Sequence, residues 1–126
     1  MIKAFHVLVA AAAMLGASMP LAAHHGAATF DTTTEMTLKG TVTEWLWFNP
    51  HCFLKFDVKD ESGKVVRWVG EFGSVPSSIA RGMTKDTFKV GEAVTVTGIP
   101  ATAGTPALQL RTIVKADGTS IGGATE

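Results

Sequence analysis

Four histidines and a single cysteine are the side chains of this 126-residue chain best suited to hold a metal or to react. His24 and His25 are adjacent, and His51 follows Asn49-Pro50 and directly precedes Cys52. Two or three imidazoles form a nitrogen-rich set of the kind that favours Cu(II), and a cysteine sulfur could join only if the metal were Cu(I). Adjacent residues of a strand point to opposite faces, so His51 and Cys52 are not expected to share a site. His51 is taken as the ligand, and Cys52 as a small buried hydrophobe. Glu71 faces either a core or a loop mouth. A buried carboxylate needs a partner, for which Arg67, Arg81 or Arg111 could serve, whereas a surface ion pair would contribute little.

The histidine pair gains chemistry from what precedes it. Lys3, an apolar run from Ala4 to Met14, Gly16, Pro20 and the small-residue exit Leu21-Ala22-Ala23 read as a secretory signal peptide over residues 1–23. The run is too short for a spanning helix of roughly 20 residues, and no cysteine follows the exit to make a lipoprotein site. An exported chain, periplasmic or secreted and not membrane-spanning after cleavage, is expected. Cleavage after Ala23 makes His24 the mature N-terminus, whose α-amine and ring nitrogen chelate together. Cleavage after Ala22 would place a histidine third, where amine, two backbone amides and imidazole form a square-planar copper or nickel site. The plain alternative is a solvated pair at a frayed terminus.

About a hundred residues remain, enough for one small domain. Eleven basic residues balance eleven acidic ones, so there is no electrostatic footprint for nucleic acid. One cysteine makes no internal disulfide. There is no Ser-His-Asp or Cys-His set in recognisable context, no phosphate-cradling loop and no paired-cysteine metal motif. Enzymatic activity therefore has no positive support.

The histidines must be positioned by strands. After an arm over residues 24–35, Met36 to Phe48 alternates with the period of two that marks a strand, with Gly40 suggesting a bulge or sharp bend. His51 to Val58 resumes as a second strand beyond the Asn49-Pro50 turn, and Asp60-Glu61-Ser62-Gly63 turns into a third from Lys64 to about Glu71. Ser74 as N-cap, Pro76 in the first turn and Gly82 at the exit predict a two-turn helix. A turn over residues 88–92 precedes a fourth strand, Ala93 to Ile99, and a loop over residues 100–106 leads to a fifth, Leu108 to Lys115. Three strands, a short helix and two strands is the order of the OB-fold, a five-stranded Greek-key barrel. The fold class is thus all-β with one short helix, the barrel covering residues 36–118 and a tail residues 119–126. A β-sandwich is the competing architecture.

The cluster Trp45-Leu46-Trp47-Phe48-Asn49-Pro50-His51-Cys52 stands with the post-signal His24-His25, Trp68, Glu71, Gly82, Gly91-Glu92 and Asp117-Gly118. Together they resemble the exported domain of unknown function family 6152. Phe30-Asp31 keeps an aromatic-acidic pattern of that family with Phe in place of Tyr. The resemblance implies an exported compartment and this architecture, and implies no activity. A further likeness, of fold only, is to small periplasmic OB-fold copper carriers, which surround Cu(I) with His, Met and a Trp face. Met36, Trp45, Trp47 and His51 are the matching residue types, at a spacing that does not match.

The leading expectation is a non-enzymatic periplasmic binding protein holding copper through His24 and His25, with His51. One alternative is a module that binds another periplasmic protein or a small ligand on the barrel face through Trp45, Trp47 and Trp68, with Asn49 and Glu71 beside them. The other is an accessory subunit of an exported redox enzyme.

Overall fold

A computed structural model of the chain describes residues 29–122. The elements are β1 (Met36–Leu46), β2 (Phe53–Lys59), β3 (Val65–Glu71), α1 (Val75–Ala80), β4 (Ala93–Pro100), β5 (Ala107–Lys115) and β6 (Ser120–Gly122). β1 pairs antiparallel with both β2 and β4, β2 with β3, and β4 with β5. A parallel pairing of β3 with β5 closes the ring. The result is the five-stranded OB-fold-like barrel that the element order predicts. Among the described residues no helix is long and apolar enough to cross a membrane.

Alternation fills the barrel. Val42, Leu54, Phe56, Val94, Val96, Leu108, Leu110 and Ile113 are buried, and each large side chain so placed contributes about 1.5–3 kcal/mol. Two bulges interrupt that alternation. On β1, Val42 lies opposite Phe56 and Glu44 opposite Lys55, so Thr43 is the additional residue. The bulge therefore lies three residues beyond Gly40, which marks the bend where β1 passes from β4 to β2. The slip changes which residues face inward, from Leu38 and Val42 before it to Trp45 and Trp47 after it. On β5, Leu110 lies opposite Gly98 and Thr112 opposite Thr97, which leaves Arg111 as the additional residue.

The helix follows its signals. The Ser74 side chain accepts from the Ser77 N–H at 3.3 Å, a proline lies in the first turn, and Gly82 takes φ +81° beyond the end. The surrounding segment lays Phe72, Met83 and Phe88 over one barrel end, all buried. Lys115 fastens it from β5, donating to Thr87 O at 2.8 Å and pairing with Glu92 at 3.1 Å.

Both flanks of the barrel are more ordered than composition suggests. Ser120–Gly122 forms a strand on β5 opposite Thr112–Val114 and buries Ile121. The arm bridges Phe30 to Ala101, with the Asp31 N–H donating to Pro100 O at 2.9 Å and Thr102 N–H to Thr29 O at 2.8 Å. The Asp31 carboxylate accepts from the Thr33 and Thr34 hydroxyls at 2.6 and 2.8 Å. Those bonds, the Thr33 hydroxyl foremost, hold its carboxyl below the ordinary value of 3.8.

Candidate functional site

The β1–β2 connection is stitched to the segment that follows β3. Cys52 N–H donates to Gly73 O at 2.9 Å, Phe72 N–H to Cys52 O at 2.8 Å, and the Asn49 side-chain oxygen accepts from Val75 N–H at 2.9 Å. Asn49 thus acts on the backbone of α1. The Asn49–Pro50 peptide is cis. Within this frame Cys52 is fully buried and His51 projects to the outer surface, the division that strand alternation predicts.

His51 Nδ1 pairs with Glu71 Oε1. Glu71 ends β3 on its outer side, at the loop mouth, opposite Phe53 of β2 and in parallel register with Gln109 of β5. The histidine side chain is 47 % exposed and its carboxylate partner 23 %, so the pair presents imidazole to solvent and keeps carboxylate behind it. A carboxylate on one ring nitrogen fixes the ring's orientation and leaves the other nitrogen as the ligating one.

The partner of Glu71 is a histidine rather than Arg67, Arg81 or Arg111, the candidates for a buried carboxylate, and the pair lies at the surface as the alternative expectation has it. Arg67 instead grips Asp57 through Nε and a terminal nitrogen at 2.8 and 3.1 Å, which lowers the Asp57 carboxyl and raises the guanidinium. Arg81 and Arg111 do border Glu71, as part of a cleft of about 210 Å³ shared by His51, Glu71, Gln109 and the Phe72-Gly73 segment. This cleft opens where β3 leaves β5: their pairing ends at Glu71 and Gln109, and β6 takes up the β5 edge only from Thr112. Gln109 and the bulged Arg111 are thereby brought beside His51. Parallel pairing and a bulge join residues distant in sequence, and period-two patterning carries no mark of either.

The three tryptophans are half-buried against the core. Trp45 meets Trp47, Phe72 and Phe88 at centroid separations of 5.7, 5.7 and 5.0 Å, and its indole N–H donates to Thr84 O at 3.1 Å. Packing and a satisfied polar tip account for this residue. Met36 also packs on the core. The exposed aromatic near His51 is Phe48, tilted against Phe53 at 5.9 Å.

Among the described residues no group of three or more His, Cys, Asp or Glu side chains converges. His51 and Glu71 are two such groups, fewer than a metal ion needs. His24, His25 and the signal-peptide cleavage point lie outside the described residues.

A larger, shallow hollow of about 530 Å³ borders Lys39, Asp57 and Lys59 on the outer faces of β1 to β3. Its carboxylate is already engaged by Arg67. The cleft at His51 is the better candidate.

The sequence profile of the Family of unknown function (DUF6152) matches residues 11–109. No curated protein and no solved structure matches the chain. The profile match spans most of the chain and takes in β1 through the start of β5, including the Asn49-Pro50-His51 turn and Glu71. The chain is a member of the Family of unknown function (DUF6152).

Proposed function

We propose that this is an exported, non-enzymatic binding protein that holds copper through the histidines at its mature N-terminus, His24 and His25, together with His51. The observation that supports it is the pairing of His51 Nδ1 with Glu71, which orients an exposed imidazole in the manner of carboxylate-backed metal ligands. The arm gives the missing ligands a route. Thr29 is fixed beside Thr102, and five residues from His24 to Thr29 span at most about 18 Å. Across the barrel wall the arm is separated from β3 by β4 and β5, three strand spacings or about 14 Å. The two lengths are comparable, and a terminal amine with two or three imidazoles is a donor set for Cu(II).

Calorimetric titration of Cu(II) into the mature protein tests the reading, beside a variant with His24→Ala and His25→Ala. One copper per chain is expected, with binding lost in the double variant and weakened about tenfold or more by His51→Ala. Affinity no greater than that of a free peptide with the same N-terminal residues overturns it.

A further inference from the structure

We infer that the cleft between the ends of β3 and β5 is a binding site for a small carboxylate ligand, gripped by Arg81 and Arg111 with Gln109 beside them. This does not rest on the copper reading, although both use the neighbourhood of His51.

Three features carry it. Arg81 stands at the C-terminal end of α1 and Arg111 on β5, so two guanidiniums reach one cleft from different elements. Among the described residues neither makes an ion pair or a side-chain hydrogen bond. The carboxylate that could have neutralised them, Glu71, is taken by His51. Paired cations and one occupied anion leave the cleft with free capacity for an anion.

The second feature is the bulge. Arg111 is the additional residue of β5, exposed and in step with Gln109 while Leu108 and Leu110 point inward, before the register shifts toward Thr112 and the buried Ile113, and bulges of this kind occur beside binding sites. The backbone leaves little freedom to lose it. A Cβ on Gly98, opposite the bulge, would come within 2.5 Å of Gln109 O. A glycine is thus required where β4 crosses this part of β5.

The third is position and size. The cleft lies at the fork of β3 and β5 beside the β1–β2 loop, one of the loops around which OB-folds bind their ligands. At about 210 Å³ it is smaller than the roughly 300 Å³ at which drug-sized pockets begin. A ligand of a few heavy atoms fits. Guanidinium forks match planar carboxylates through paired N–H donors, and Gln109 adds an amide that can donate to a second oxygen. The Glu71 carboxylate in the same lining disfavours a compact dianion such as phosphate, so a carboxylate is the preferred class.

Metal-free protein carrying His24→Ala and His25→Ala isolates this site from copper. Succinate, acetate and inorganic phosphate are titrated into it, following backbone amide shifts. Succinate is expected to move the amides of Glu71, Gly73, Gln109 and Arg111 saturably. Arg81→Gln and Arg111→Gln should each weaken it about tenfold, with Arg→Lys at either position recovering only part of the loss. Because both side chains are exposed, the variants should keep the wild-type melting temperature. Shifts that are absent, that are strongest for phosphate, or that persist in the double Arg→Gln variant overturn the proposal.

Discussion

At the scale of single residues, Glu71 decides how His51 is held. The carboxylate pairs with Nδ1, and in the proposed site it would act as a positioning group that leaves the opposite ring nitrogen for a ligand. Replacing Glu71 with Gln keeps an acceptor and removes the charge that strengthens the imidazole as a donor. Copper affinity should fall about tenfold, while an exposed pair of this kind is worth at most about 1 kcal/mol to the fold. Calorimetric titration and thermal unfolding of Glu71→Gln separate the two effects. An unchanged affinity would show that Glu71 does not serve the metal. What the sequence makes legible here is the opposition of His51 and Cys52, because alternation is a local rule. The pairing of His51 with Glu71 is not local. It depends on the register that sets Phe53 against Glu71 across two strands.

At the scale of elements, the OB order of strands and the helix with its Ser74 cap are readable because each rests on short-range signals. The bulges are not, because Thr43 and Arg111 are extra only relative to the strands opposite them. The short strand β6 also escapes, since three residues are too few to show a period. Close packing gives this scale a direct test. A Cβ on Gly70 would come within 2.5 Å of the buried Leu110 side chain. Gly70→Ala should destabilise the barrel by about 1–3 kcal/mol through overpacking. Adding Leu110→Ala should recover part of that loss in a double-mutant cycle, and additive losses would contradict the contact. The arm offers a pH test. The Asp31 carboxyl is lowered in the fold by its Thr33 and Thr34 bonds, so its contribution is present above the unfolded value and is lost as pH falls through the folded one. Protection of the Asp31, Thr34 and Thr102 amides, relative to their intrinsic exchange rates, should therefore fall below about pH 4, with the protection of the β4 amides unchanged, and Asp31→Asn should remove that dependence. Equal protection at pH 6 and pH 3 would contradict the tether.

At the scale of the whole molecule, one closed barrel carries a cleft at the fork of β3 and β5 and an arm pinned at the β4–β5 connection. The barrel is the rigid frame, and the candidate ligands lie at its flanks. Copper that binds only the native arrangement of arm and loop must stabilise the fold by mass action. Histidines that bind as a loose peptide would not, since the unfolded chain would hold the metal as well. The most direct measurement is electron paramagnetic resonance of the mature protein with one equivalent of Cu(II), for wild type, for His51→Ala and for the variant lacking both N-terminal histidines. Nitrogen hyperfine structure should lose one coupled nitrogen in His51→Ala and disappear when His24 and His25 are replaced. A wild-type spectrum identical to that of His51→Ala would contradict a site shared between arm and barrel.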